Sequence, residues 1–136
     1  MNKHIYKTQA RELSLQFLYQ MELRGQKIYD ELSTFLHEFA PDAPKETVQY
    51  VTTIVQGCCE HWDEINEKIS SSSQNWKLSR ISSIDKSILR IAVYEFFYQN
   101  IHKKIVINEA INLGKRFSTE RSGAFINGVL DAIFNA

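Results

Sequence analysis

The sequence predicts an all-α protein, and three observations carry that prediction. Proline occurs only at positions 41 and 44 and glycine only five times in 136 residues, so few positions force the chain out of a helix. The apolar residues of every long segment recur with a period near 3.6, and none alternates strictly as a half-buried strand would. An apolar fraction of 43% with 24% charged residues is typical of a globular chain, and we expect one domain over residues 1–136.

Three helices are predicted in the first half, residues 1 to about 70. The first runs from about Tyr6 to Arg24, where Gly25 is placed to end it. The second runs from about Ile28 to Phe39 and stops before Pro41. The third begins near Pro44 and continues as one packing seam whose apolar residues are spaced three and four apart: Val48, Val51, Val55, Cys58, Trp62, Ile65 and Ile69.

Four consecutive serines, Ser70–Ser73, favour a boundary between two helical halves, because serine sustains a helix poorly. The second half, about residues 74–136, opens with a short helical turn at 75–81. Ser82 and Asp85 resemble a capping box that starts a helix which is apolar almost all round, so we expect that helix at the centre of the fold. Two more helices are predicted, one around Ile107–Phe117 and one from near Ser122.

The net charge of zero conceals an uneven distribution along the chain. Residues 1–27 carry five Lys or Arg against two Glu, residues 28–69 carry two against nine acidic residues, and residues 70–136 carry nine against five. The three segments therefore have charges of +3, −7 and +4, and basic ends on both sides of an acidic middle suggest an anionic ligand if folding brings the ends together. Ordinary solvated helix faces are the alternative interpretation.

The sequence favours a binding protein over an enzyme. Its four histidines are scattered, and the two cysteines are adjacent, so neither a metal site nor a disulfide framework is indicated. No phosphate-binding loop, nucleophile elbow, kinase motif or dinucleotide motif occurs, and we expect no catalytic residue and no cofactor. With no apolar run near 20 residues, no signal-peptide pattern and thiols expected to stay reduced, the cytoplasm is the expected location.

Glu95 is the one unusual titratable residue, because it lies on the most apolar predicted helix. A buried carboxylate must be hydrogen-bonded or paired with a cation. Arg90 is five residues away and a poor partner within the helix, so Arg80 is the candidate. We interpret Glu95 as part of an ion pair that ties helices together, in preference to a catalytic group.

Four blocks of sequence, spread over nearly the whole chain, resemble the NusB family of bacterial transcription antitermination factors. The blocks are ARELSLQFLY at residues 10–19, NWKLSR at 75–80 followed by DKSILRIAVYE at 85–95, VINEAI at 106–111 followed by Lys115 and Phe117, and FINGVLD at 125–131. Their order and spacing match those of the family.

The resemblance implies two packed helical subdomains of about three helices each, and it implies a function without catalysis. Members bind the boxA segment of nascent RNA as a heterodimer with NusE, a small-subunit ribosomal protein. They join the antitermination complex of RNA polymerase, notably on ribosomal RNA operons. RNA and partner are each held better when both are present.

The resemblance also implies which residues bind. The candidates for RNA are Lys3, Lys7, Arg11, Gln16 and Tyr19 on the first helix, and Arg121, Ser122 and Phe125 at the start of the last. The partner is expected on the second half, around Asp85, Lys86 and the helix beginning near Ile107.

The sequence departs from the family pattern at both RNA-binding segments. Thr8 and Gln9 interrupt the first helix where members often carry a run of arginines, and Ala124 stands where lysine is common. Arg121, three residues earlier, occupies a place that is often acidic, and we hypothesise that it replaces the charge missing at 124. Two alternatives stay open, namely a homodimer that masks the RNA surface and a detached accessory domain of the kind found in some ribosomal RNA methyltransferases.

Overall fold

The protein is all-α in the computed structural model, which describes residues 3–25, 29–72 and 78–135. Within those ranges it has no strand, and its helices are α1 (Lys3–Arg24), α2 (Leu32–Phe39), α3 (Lys45–Glu60), α4 (Trp62–Ser72), α5 (Ser83–Tyr98), α6 (Lys103–Phe117) and α7 (Ser122–Phe134). Short 3₁₀ turns precede α2 (Tyr29–Glu31) and α5 (Leu78–Arg80). The predicted fold class is confirmed.

Helix α5 lies at the centre of the fold, as its apolar surface predicted. It packs against α1, α3, α4, α6 and α7, and residues 85–95 are all buried. Ser82 starts it by accepting the Asp85 backbone N–H at 3.1 Å. The Asp85 carboxylate does not complete a capping box, because it accepts hydrogen bonds from the hydroxyl groups of Ser118, at the end of α6, and Ser122, at the start of α7.

Helix α1 begins at Lys3, three residues before the predicted start, and ends as predicted. Gly25 follows it with φ +68°, a left-handed conformation that glycine adopts without a Cβ penalty. The predicted second helix starts later than expected, at Leu32, because a 3₁₀ turn takes its first residues. Ile28, predicted in the second helix, and Trp76, predicted in the short helical turn before α5, lie outside the described residues.

The prediction of one long third helix was wrong, because the structure divides it into α3 and α4 at His61. His61 has φ −111° and ψ 25°, outside helical geometry. Backbone hydrogen bonds continue across the break, from His61 N–H to Gly57 O at 3.0 Å and from Ile65 N–H to His61 O at 2.9 Å. Asp63 and Glu64 fall in the first turn of α4, where negative charge stabilises a helix start. The apolar spacing continues through the junction, which is why the pattern did not reveal it.

None of the helices in the part of the chain that the structure describes combines the length and the apolar character needed to cross a membrane.

Candidate nucleic-acid interface

Arg11 lies inside the protein, and not on the surface where a phosphate contact was expected. Its side chain is 4% exposed, and its Nε donates to both carboxylate oxygens of Glu95, at 2.9 and 3.0 Å. Glu109 of α6 lies 3.4 Å from the same guanidinium. Burial opposes the charge, but the Glu95 carboxylate outweighs it and holds the pKa of Arg11 above its ordinary value. We assign Arg11 to this interior ion pair, since a phosphate has no access to it here.

Glu95 forms the helix-tying ion pair that its burial predicted, but with a different partner. Arg11 of α1 replaces the expected Arg80, which is exposed on the 3₁₀ turn before α5. Tyr50 of α3 also donates its hydroxyl to Glu95. The carboxylate therefore joins α1, α3 and α5.

Lys7 lies one helical turn before Arg11 and is half-buried. Its Nζ is 5.3 Å from the centroid of the Tyr50 ring, a cation–π distance. The side chain of Lys3 lies outside the described part of the chain. The basic face expected along the start of α1 is therefore reduced to Lys7 among the candidates whose side chains are described.

Gln16 and Tyr19 lie on α1 and stay accessible. Gln16 is exposed and Tyr19 is half-buried. Gln16 also lines a shallow groove that Phe39 and residues 40–43 close on the other side. Both keep the polar and aromatic groups that suit contacts to unpaired bases.

A surface cleft brings together four of the predicted residues from two distant parts of the sequence. The cleft has a volume of about 260 Å³ and lies between the start of α5 and the start of α7. We call it the α5–α7 cleft, and it is lined by Arg80, Ile81, Ser82, Asp85, Thr119, Arg121, Ser122 and Phe125. Three RNA candidates and one partner candidate thus line the same cleft.

Asp85 is buried within the wall of this cleft, and hydroxyl groups hold its carboxylate. Ser118 Oγ donates to Oδ1 at 2.9 Å, and Ser122 Oγ donates to Oδ2 at 3.2 Å. Ser122 is 3% exposed, and its hydroxyl lies against Asp85 and Ser118 inside the wall of the cleft. Arg121 is exposed beside it and Phe125 is half-buried.

Lys86 points into the protein, where it contacts α1. It pairs with Glu22 of α1, and Arg90 bonds to the same carboxylate at 2.8 Å. Burial opposes the charge on Glu22, but the hydrogen bonds from Lys86 and Arg90 outweigh it and hold the pKa of Glu22 below its ordinary value. Lys86 thus ties α5 to α1. Of the partner candidates, Ile107 is half-buried on α6.

The ion pairs fix how α1 lies relative to the cleft. Arg11 meets Glu95 near the end of α5, whereas Glu22 meets Lys86 near its start, so the two helices are antiparallel. The second half of α1, with Gln16 and Tyr19, therefore runs toward the end of α5 that carries the cleft. Lys7 lies toward the other end of α5, where Glu95 is. Asp85 at the cleft and Glu95 are ten residues apart, which is about 15 Å along the helix.

Several cationic residues near the cleft were missed. Arg80 lines it, and Lys115 and Arg116 are exposed in the last turn of α6, six and five residues before Arg121. Arg116 also pairs with Glu12 of α1, which brings α1 against the end of α6. The signal for them was the charge of +4 in residues 70–136, of which only Arg121 was predicted to contact RNA.

An all-helical body with α5 at its centre, buried ion pairs between its helices and a cleft with a basic rim defines an all-α protein whose exposed cations suit an anionic ligand. A family model described as the NusB family matches residues 8–135. The chain belongs to the NusB family.

Similar proteins and solved structures match this chain over almost its full length. The transcription antitermination protein NusB of Anaeromyxobacter dehalogenans is 42% identical over 127 residues, which are 93% of this chain and 89% of that protein. The structure of T. maritima NusB has a TM-score of 0.85 at 32% identity, covering 94% of this chain and 89% of that one. A chain in the crystal structure of antitermination factors NusB and NusE with dsRNA has a TM-score of 0.85 at 25% identity, covering 96% of each chain.

Proposed function

We propose that the protein is an RNA-binding transcription antitermination factor. In this proposal it works in the cytoplasm, binds boxA-type single-stranded RNA as a heterodimer with the ribosomal protein NusE, and joins the RNA polymerase antitermination complex on ribosomal RNA operons. The observation that carries the proposal is the similarity, over 96% of both chains, to a structure that contains NusB, NusE and RNA. In this proposal the protein acts by binding RNA and carries out no covalent step.

The RNA surface in this proposal is centred on the α5–α7 cleft. Arg121 and Arg80 are exposed at the cleft and would meet phosphates, while Phe125 would stack against a base. Gln16 and Tyr19, on the half of α1 that runs toward the same end of α5, would extend the contact. Lys3 and Lys7 are proposed for phosphates farther along the strand, and Arg11 and Ser122 support the surface from inside.

The partner surface is proposed on the second half of the chain, beside the RNA surface. Ile107 offers an accessible apolar contact on α6. Lys86 acts from within, because its pairing with Glu22 sets the position of the start of α5. Because the two surfaces are adjacent, RNA held here would also contact the partner, and that shared contact would account for each favouring the other.

Self-association is the second candidate, and one feature favours it. Ile5 is 65% exposed and Phe39 is 61% exposed, and both border grooves that share Gln9 and Glu12 of α1. A second copy that covers these apolar groups would also cover Gln16, which lines one of the grooves. Light scattering with and without RNA separates the candidates, because a masking homodimer would dissociate as RNA binds.

A titration of labelled boxA-type RNA tests the proposal. The protein alone and the protein with NusE are titrated at two salt concentrations. We expect binding that NusE strengthens and salt weakens, with a log–log slope of roughly −3 if about four phosphates are contacted. No binding in either form would contradict the proposed function.

A further inference from the structure

We propose that the α5–α7 cleft accepts one unstacked base of the bound RNA and that the Asp85 carboxylate selects guanine there. The inference rests on the proposed RNA-binding function and adds a base-specific site to it. It also moves Asp85 from the partner surface, where the sequence placed it, to the RNA surface.

The size and lining of the cleft suit a single base. Its volume of about 260 Å³ is below the roughly 300–1,000 Å³ of pockets that hold larger small molecules. Ile81 and Phe125 supply apolar groups to its lining, and an aromatic side chain is a sequence-tolerant platform for a base. Hydrophobic walls alone would accept all four bases.

The charges of the cleft are arranged for a nucleotide. Arg80 and Arg121 are exposed, whereas Asp85 is 9% exposed and is the one acidic residue among the lining residues described. Cations at the outside meet the phosphate backbone, and a carboxylate further in meets the hydrogen-bond donors of a base. An anionic group deep in the cleft would repel a phosphate there, so the phosphates stay outside.

The Asp85 carboxylate retains acceptor capacity for such a base. An ionised carboxylate has about four lone-pair positions, and the Ser118 and Ser122 hydroxyls, which also lie 2.6 Å from each other, take at most one on each oxygen. The same two hydroxyls fix the orientation of the carboxylate, so the remaining positions are preorganised. The group can therefore accept two further hydrogen bonds.

Guanine is the base that offers two adjacent donors. Its N1–H and its N2 amino group lie side by side on the Watson–Crick edge and match the two oxygens of a carboxylate. Adenine and cytosine present an amino group next to an unprotonated ring nitrogen, and uracil presents one N–H between two carbonyl oxygens. Each of these would place an acceptor near the carboxylate, which disfavours it.

The test compares guanosine with inosine, which lacks only the N2 amino group. A labelled uridine-rich strand carrying one guanosine, inosine or adenosine is titrated with the wild-type protein and NusE by fluorescence anisotropy. We expect guanosine to bind about tenfold more tightly than inosine or adenosine, as for the loss of a hydrogen bond to a charged group. This arm needs no variant of the protein.

Two variants locate the effect. Asp85→Asn should reduce the guanosine-to-inosine ratio to near one, whereas Asp131→Asn, which removes the same charge from an exposed position later on α7, should leave the ratio unchanged. Circular dichroism and thermal melting verify that Asp85→Asn is folded.

Three results would overturn the inference. Equal affinity of the wild-type protein for guanosine and inosine strands would contradict it while leaving RNA binding intact. A guanosine-to-inosine ratio unchanged in Asp85→Asn would remove Asp85 from base selection, and an accompanying loss of NusE binding would return it to the partner surface. Failure of every strand to bind would contradict the proposed function itself.

Discussion

Glu95 shows at the residue scale how a buried charge is held in this fold. Its side chain is 2% exposed, yet it accepts hydrogen bonds from Arg11 of α1 and Tyr50 of α3. The two partners come from segments 84 and 45 residues away, so both bonds are tertiary. Removal of one member would leave the others as buried polar groups without their partner.

Substitution of Glu95 by glutamine is expected to lower the free energy of unfolding by about 3 kcal/mol, because Arg11 keeps its charge in the interior without its main counter-ion. Urea unfolding measures the loss. Glu109→Gln is the matched control, since that carboxylate is 26% exposed and 3.4 Å from Arg11, and it should cost under about 1 kcal/mol. Equal losses in the two variants would contradict the assignment.

Arg121→Ala is expected to weaken RNA binding at all sequences alike and to reduce the magnitude of the salt slope by about 0.7, the value for one phosphate on a single strand. Arg121 is exposed at the cleft, which is the basis of the prediction. RNA titration at several salt concentrations measures both effects. Unchanged affinity would remove Arg121 from the RNA surface and would refute its proposed compensation for position 124.

The sequence predicted individual roles less well than it predicted helices. Lys7 and Arg11 are four residues apart and were both RNA candidates on the first helix, but Arg11 is buried because Glu95 lies opposite it. Nothing in the sequence near Arg11 indicates a partner 84 residues away. A cation at the surface and a cation in an interior ion pair have the same local pattern.

At the scale of elements, close packing of α3 on α5 depends on Gly57. A Cβ at this position would overlap the ring of Tyr94, which stacks on Tyr98 with ring centroids 5.7 Å apart. The Tyr94 hydroxyl also accepts a hydrogen bond from Gln99 at 2.9 Å. The ring is therefore held on both sides and has little freedom to move away.

Gly57→Ala is expected to destabilise the protein by about 1–3 kcal/mol, as overpacking of a close contact does. Gly128→Ala on α7 is the control, because no atom lies within 4 Å of its Cβ position. Alanine there should stabilise the helix by about 0.5–1 kcal/mol. Thermal or urea unfolding of both variants distinguishes the two effects, and a stabilised Gly57→Ala would show that α3 and α5 are less closely packed.

The contact between α1 and the start of α5 is expected to depend on pH through Glu22. The pKa of Glu22 is below its ordinary value of 4.5 in the folded protein, because Lys86 and Arg90 outweigh the effect of burial. Its stabilising contribution is therefore complete above pH 4.5 and is lost as the pH falls through the folded-state pKa. Urea unfolding across this range should show a weaker acid-induced loss in Glu22→Gln than in wild type.

The control for this prediction is Glu67→Gln, which removes one exposed carboxylate from α4. It should retain the wild-type loss of stability at acid pH. If Glu22→Gln behaved in the same way, the ion pairs with Lys86 and Arg90 would contribute nothing to the pH dependence.

Element boundaries were predictable where a local signal exists. Gly25 ended α1, and Ser82 began α5, as expected from their backbone and side-chain chemistry. The break at His61 was not predicted, since neither proline nor glycine marks it and the apolar spacing continues through it. The late start of α2 was also missed because a 3₁₀ turn and an α-helix share much of their sequence pattern.

At the scale of the whole molecule, the fold gathers four exposed cations of the second half around the start of α5. Arg80 and Arg121 line the cleft there, and Lys115 and Arg116 lie on the last turn of the adjoining helix. The charge pattern of the sequence indicated two basic ends. In the folded protein the cations of the C-terminal segment at the cleft are exposed, whereas Arg11 of the N-terminal segment is buried. The RNA surface that we propose is therefore centred on the cleft and not shared equally between the two basic segments.

The location of the RNA tests this account most directly. Amide chemical-shift mapping of ¹⁵N-labelled protein during addition of boxA-type RNA would report it residue by residue, without any variant. We expect the largest shifts at residues 80–85 and 119–125, continuing along α1 around Gln16 and Tyr19. Shifts concentrated instead on α2 and α3, with the cleft unchanged, would contradict the account.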